Sequence, residues 1–161
     1  MNTEKKSISS MAACSVVYVE KYEDGILSGR IVNYCLKEPV LFHGMGDFAI
    51  KMDRIYDFLG LERPDSLPVS FFGQKESGKN GFVLRDKPDD DGRDTWMGRE
   101  SYIALFVVHT RYRYHSSWQG SIAWPEKSIE KPYNSTLDCI RLMTEAVEYE
   151  TEQKRKDRET V

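Results

Sequence analysis

The residues best suited to chemistry begin with Gly73-Gln74-Lys75-Glu76-Ser77-Gly78-Lys79-Asn80. Their spacing nearly matches GxxxxGK[ST], in which backbone amides cradle phosphates, the lysine reaches the outer phosphates and a hydroxyl holds magnesium. Asn80 stands where that hydroxyl belongs, and the GFVLRDKPDDD that follows has no helical pattern. No helix N-terminus therefore faces an anion, and a flexible loop rich in glycine, lysine and serine accounts for the segment better. His43, His109 and His115, with Cys14, Cys35 and Cys139, supply metal-ligand types and a conceivable Cys–His nucleophile pair. None has the CxxC or HxxxH spacing that turns two side chains toward one metal. Asp47 and Asp138 are conceivable as paired carboxylates, but each falls in the first turn of a predicted helix, where the dipole favours an anion. No constellation makes catalysis the leading expectation, and neither cofactor nor metal is expected.

The other concentration of chemistry is Tyr102–Trp124, YIALFVVHTRYRYHSSWQGSIAW. Alternation along a strand sets His109, Arg111 and Arg113 on one face and Tyr112 and Tyr114 on the other. A turn centred on His115-Ser116 places Trp118 opposite Arg113 and Ile122 opposite His109. Arg111, Tyr112, Arg113, Tyr114 and Trp118 are the candidate binding set. Arginines among aromatics on an exposed sheet can stack the bases of a single strand, and the same residue types anchor protein interfaces. An ordinary solvent face, with arginine stems covering rings, is the third account. A net charge of -3 and a pI near 5.7 argue against a general nucleic-acid coat.

Elements must position these residues. A chain of 161 residues is most simply one domain. A charged fraction of 30% and mean hydropathy of -0.57 suit a soluble protein. No window approaches the roughly 18 apolar residues of a membrane helix. No apolar signal-peptide region precedes the first serines, so a cytoplasmic protein with reduced cysteines and no membrane contact is expected. Residues 1–11 read as a polar arm. Asp24-Gly25 between two β-rich runs predicts a hairpin with a type I′ turn. Its expected register sets Tyr22 opposite Leu27, Tyr18 opposite Ile31, Val17 opposite Val32 and Cys14 opposite Cys35. The stripe Met45, Phe48, Ala49, Met52, Ile55, Tyr56 and Leu59 predicts a helix closed by Gly60. Residues 61–100, with Pro64, Pro68, Pro88 and Asp89-Asp90-Asp91, read as a linker with short strands near Val69–Phe72 and Phe82–Leu84. After the second hairpin a helix starts at STLDCIRLMTEAVEYE, capped by Asn134 or Ser135, and residues 148–161 form a charged tail.

The two halves match at one spacing. Ala13/Ala104, Val16/Val107, Val17/Val108, Gly29/Gly120, Ile31/Ile122, Asp47/Asp138 and Met52/Met143 are each 91 residues apart. Phe42 and Tyr133 stand alike just before each helix, as a hydrophobic staple does. The expected fold is α+β: duplicated ββα units (12–60 and 101–147) forming an antiparallel sheet of at least four strands with two helices on one face. A coincidence between two ordinary hairpin–helix segments is the alternative.

Three stretches, VEKYEDGILSGRIVN, FHGMGDFAIKMDRIYDFLG and SSWQGSIAWPEK followed by STLDCIRLMTEA, resemble a family of short proteins from clostridial-type gut bacteria with no assigned activity. Ser117–Trp124, with its Ser-Trp-Gln-Gly-x-Ile-x-Trp pattern, is the most specific piece. The resemblance implies a shared fold and an accessory role on mobile genetic elements, and no site residues. The expected function is a non-catalytic, protein-binding accessory or inhibitory factor of a mobile element or phage. Its protein partner would meet the outer sheet face or the acidic linker. The alternative is single-stranded nucleic-acid binding through Arg111, Tyr112, Arg113, Tyr114 and Trp118, and an enzyme is the remaining class. The oligomeric state is left open.

Overall fold

A computed structural model of the chain describes residues 13–65, 69–73, 81–85 and 101–160. In chain order the elements are β1 (Cys14–Glu23), β2 (Ile26–Asn33), β3 (Val40–His43), α1 (Met45–Leu59), β4 (Ala104–Tyr112), β5 (Gln119–Trp124), a single 3-10 turn (Pro125–Lys127), β6 (Ile129–Tyr133) and α2 (Thr136–Glu159). They form an α+β fold with one six-stranded sheet in the order β3-β2-β1-β4-β5-β6, antiparallel throughout. Each helix follows three strands rather than the two expected. The two extra strands, β3 and β6, are short, and each buries one residue, Phe42 and Tyr133. With one inward side chain apiece they show too little alternation to be read as strands. Helix α2 runs on to Glu159, so most of the expected tail is helical.

The halves meet between β1 and β4, where Val16 faces Val107, its counterpart 91 residues on. Asp24 and Gly25 both have positive φ, 52° and 76°, as a type I′ turn needs. Close to that turn the expected register holds, with Tyr22 opposite Leu27. Beyond it the pairing slips by one between Val19 and Lys21, so Tyr18 faces Arg30 and Val17 faces Ile31. The second hairpin slips at the matching place, between Thr110 and Tyr112, and His109 faces Ser121 instead of Ile122. Opposite each slip is a glycine. A Cβ on Gly29 would lie 1.8 Å from the Tyr18 carbonyl oxygen, and one on Gly120 would lie 1.9 Å from that of His109. A β-bulge bends its strand and brings backbone close, and only a residue without a side chain tolerates the approach. Because of the slip, Cys14 does not oppose Cys35, and all three cysteines are free thiols.

One core cluster contains Val17, Val19, Ile31, Phe106, Val108 and Ile122 of the sheet together with the buried stripes of both helices. Both helices therefore pack on the same sheet face. Side chains of this size contribute about 1.5–3 kcal/mol each when fully buried. Three hydroxyls cross the core as a chain: Tyr56 to Thr110 at 2.6 Å and Thr110 to Tyr133 at 2.7 Å. Burial pushes the ionisation of both tyrosines up, so they stay neutral hydrogen-bonding groups. Ser135 Oγ caps α2 by accepting from the Asp138 amide at 3.0 Å. Gly60, left-handed at φ 83°, closes α1. The Asp47 carboxylate accepts the His43 amide at 2.9 Å, and the Asp138 carboxylate accepts the Asn134 amide at 3.3 Å, which is the same contact 91 residues later.

Both outer strands are blunted. The Leu41 carbonyl of β3 accepts the Lys51 ammonium at 2.7 Å, and β6 carries Pro132, which has no amide to offer. Of the linker, Val69–Phe72 is an exposed turn and not a strand, and among the described residues Leu84 makes a single bridge, to Leu36. Lys37 N donates to Val83 O at 2.8 Å, Arg85 N to Cys35 O at 2.9 Å, and the Phe82 ring stands edge-on to Phe58. The Gly73–Asn80 motif after its first residue, and Asp89-Asp90-Asp91, lie outside the described residues.

Gly29→Ala and Gly120→Ala are each expected to cost about 1–3 kcal/mol, the usual range for overpacking, in urea unfolding. Gly46→Ala, with open space around its Cβ and a helical backbone, is expected to be neutral or to stabilise by up to about 1 kcal/mol. Equal costs at all three positions would refute the close-approach account. The His43 amide, then Lys51, hold the Asp47 carboxyl below its ordinary pKa. A depressed pKa adds stability that is present above the unfolded value and lost as pH falls through the folded one. Asp47→Ala is thus expected to unfold more easily than wild type at neutral pH, with the gap closing in acid below the ordinary carboxylate range. A gap independent of pH in thermal melts would exclude a role for the charge.

Candidate functional site

The five candidate residues do not share a surface. Thr110 is buried, and the bulge then leaves Arg111 exposed before alternation resumes. Tyr112 is 57% exposed, Arg113 only 3% and Tyr114 42%. Trp118, opposite the Arg113 side of the turn, is also 3% exposed. The expectation of Arg111 and Arg113 on one accessible face is corrected: Arg113 and Trp118 are interior, whereas Arg111, Tyr112 and Tyr114 remain outside.

The interior pair is held by α1. Arg113 Nη1 donates to Asp57 Oδ1 at 2.8 Å and to Asp53 Oδ1 at 3.2 Å, and Nη2 donates to the Leu61 carbonyl. Its guanidinium lies 5.8 Å from the Tyr56 ring centre. Trp118 Nε1 donates to Asp53 Oδ1 at 3.2 Å, and the indole stands edge-on to Tyr56 and Phe48 at 5.5 and 6.3 Å. Arg63 adds contacts to Asp53 Oδ2 and, at 3.3 Å, to Asp57 Oδ1. Two arginines and two aspartates thus neutralise one another, although Arg113 Nε is enclosed with no acceptor among the described residues. The guanidinium of Arg113 is buried while Asp53 and Asp57 remain partly exposed, so its desolvation offsets much of the Coulomb attraction and the network orients more than it stabilises. Asp53, Asp57 and Arg63 were missed in the sequence. The available signal was Asp53 and Asp57 at i, i+4, flanking the apolar stripe of α1.

The same contact exists in the other half with different chemistry. Tyr22, 91 residues before Arg113, donates its hydroxyl to Glu148 of α2 at 3.3 Å, and Glu148 is 91 residues after Asp57. Each hairpin thus reaches across to the helix of the opposite half. Leu27 stands at the place of Trp118, and both are buried.

The exterior residues sit on an ordered hairpin end. The Tyr112 and Tyr114 rings are 5.9 Å apart, and His115 is 6.5 Å from Tyr114. Gln119 accepts the Tyr114 amide at 2.9 Å and donates to its carbonyl at 3.0 Å. His115 and Ser116 both take φ 55°, and the His115 amide donates to Asp65 at 2.9 Å. Among the described residues this hairpin end sets no nucleophile beside a base.

The other candidates fare as follows. Ser28 Oγ and His43 Nδ1 are 2.8 Å apart over a groove of about 420 Å³ that Glu20, Glu23 and Asp24 also line. Among the described residues His43 makes no second side-chain hydrogen bond, so nothing orients the ring as a base. Cys14 does face His109 across β1 and β4. Burial raises the thiol pKa and lowers that of the imidazole, which opposes a thiolate–imidazolium pair. Burial likewise pushes Cys139 up to about 12. Asp47 and Asp138 are occupied by their own backbone contacts. Among the described residues no group of three His, Cys, Asp or Glu can hold a metal ion.

Asp53→Ala is expected to cost roughly 2–4 kcal/mol, near the low end for orphaning a buried charge because Asp57 remains. Arg113→Met, which removes the ion and keeps the volume, is expected to cost less. Chemical denaturation of both variants decides; the reverse order would mean that the guanidinium itself stabilises the fold. No family model, no curated protein and no solved structure matches the chain, so its own residues carry the functional reading.

Proposed function

We propose that the chain is a non-catalytic binding protein, an accessory or inhibitory factor, that meets a protein partner through the exposed end of its second hairpin. The supporting observation is the Tyr112–Tyr114 pair, two neighbouring rings in solvent on a backbone pinned by Gln119 and Asp65. Large rigid side chains lose little entropy on contact and dominate interface energetics. The blunted edges of β3 and β6 disfavour partner capture by strand addition, which leaves the faces and the hairpin end. Among the described residues no helix is long and apolar enough to cross a membrane.

The same proposal treats the halves as copies of one unit, now three strands and a helix. The bulge with its glycine and the aspartate contact before each helix recur 91 residues apart, and Val16 pairs with its own counterpart Val107. Interior positions keep their place between the copies, Leu27 with Trp118 and Phe42 with Tyr133. Outer positions change in chemistry: exposed Lys21 and Glu23 stand where Tyr112 and Tyr114 are in the second half, and half-buried Glu20 stands where Arg111 is. That divergence is what a binding role added to one copy would leave.

Single-stranded nucleic acid is disfavoured, because Arg113 is neutralised by aspartates and Trp118 is buried, leaving Arg111 and two tyrosines on an acidic protein. With wild-type bait, one stoichiometric protein is expected from the native cell. The Tyr112→Ala/Tyr114→Ala bait is expected to lose it, by about 2 kcal/mol or more per hot-spot residue, with an unchanged melting temperature. Recovery of the same partner by both baits, or salt-sensitive binding of an oligothymidylate that needs Arg111, would overturn the proposal.

A further inference from the structure

The turn that ends the second hairpin is built without glycine. His115 and Ser116 are both left-handed, at φ 55°. A residue with a Cβ takes that conformation at a cost and keeps it only where other contacts hold it. Asp24 and Gly25, 91 residues earlier, take the same hand at 52° and 76°, and the glycine bears it freely. Among the described residues no side chain bonds to the amides of that first turn. In the second turn a carboxylate from the chain of the first half supplies the contact. Asp65 accepts the His115 amide with both oxygens, at 3.1 and 2.9 Å, and His115 Nδ1 lies 3.3 Å from Asp65 Oδ2. Hydrogen bonds from a backbone amide to a charged acceptor are the stronger kind.

Asp65 reaches the turn because the five residues that leave α1 are tied down. Past Gly60 the Leu61 amide donates to the Tyr56 carbonyl at 2.8 Å, and the Leu61 carbonyl accepts Arg113 Nη2. Arg63 bonds to Asp53 and Asp57, the two aspartates that also hold Arg113. Pro64 fixes its own φ and keeps Arg63 out of the helical region. Residues 61–65 therefore form a strap along the hairpin end, fastened at Leu61, Arg63 and Asp65. Gln119 holds the Tyr114 backbone from within the hairpin, and Asp65 holds the next residue from across the chain. We propose that Asp65 is the positioning residue of the hairpin-end surface, so that the strap leaving the first half sets how the second half presents Tyr112 and Tyr114. The proposal rests on the reading of that surface as the binding site.

Three full-length proteins test this by solution NMR: wild type, Asp65→Ala and Asp65→Ala/Ser116→Gly. Asp65 and Ser116 are at the surface, so all three are expected to fold, with unchanged far-ultraviolet circular dichroism. In wild type the Tyr112 and Tyr114 rings, 5.9 Å apart, are expected to give an inter-ring nuclear Overhauser contact. Asp65→Ala is expected to lose it and to speed exchange of the His115 amide by about tenfold, the scale of one hydrogen bond to a charged group. Ser116→Gly gives the second turn what Gly25 gives the first. The double variant is therefore expected to regain the ring contact while the His115 amide still exchanges fast, a rescue that a general loss of stability would not show. Retention of the ring contact in Asp65→Ala, or its absence from the double variant, overturns the proposal. Capture of the partner separates the two readings. A wild-type bait that captures nothing sinks the binding role and leaves the NMR result on Asp65 standing. Capture by an Asp65→Ala bait at wild-type strength overturns the positioning role and leaves the binding role standing.

Discussion

Two carbonyl oxygens, those of Tyr18 and His109, lie where the neighbouring strand would otherwise carry a Cβ. Most of what distinguishes this fold follows from that crowding. It requires glycine at positions 29 and 120, and it comes with a bulge in each long strand. A bulge adds one residue to one strand, and every side chain beyond it is re-aimed. Without the bulge Arg111 and Arg113 would alternate with the tyrosines along one straight strand. With it, Thr110 stays in the core, Tyr112 and Tyr114 turn to solvent, and Arg113 folds in over α1.

The re-aimed residues do the joining. Tyr22 reaches Glu148, and Arg113 reaches Asp57 and Asp53, so each hairpin clasps the helix of the other half. One clasp is a neutral hydroxyl on a carboxylate at the rim; the other is a buried guanidinium shared by two aspartates and backed by an indole. The second orders more groups, around a guanidinium that is itself buried. Gln119 and Asp65 bond the backbone at Tyr114 and His115, at the end of the same hairpin.

Much of the architecture was legible in the residues. The type I′ turn at Asp24-Gly25, the helix closed by Gly60, the Ser135 cap and the spacing of 91 between halves are local or periodic signals, and the structure places those elements where they indicate. The two edge strands escaped because four or five residues with a single inward side chain carry no periodicity. The register was read correctly next to each turn and wrongly beyond it, since an added residue in one strand leaves no mark in its own sequence; its mark is the glycine across the ladder.

The sequence by itself therefore determined the long hairpin strands, the Asp24-Gly25 turn and both helices, because propensity, capping and turn chemistry act over a few residues. Tertiary structure alone decided which chemically able side chains are accessible. Arg113 and Trp118 resemble surface binding residues by type, yet Asp53 and Asp57, some sixty residues earlier in the chain, draw them inward. Accessibility depends on partners brought together by folding, and a bulge of one residue is enough to exchange inside for outside.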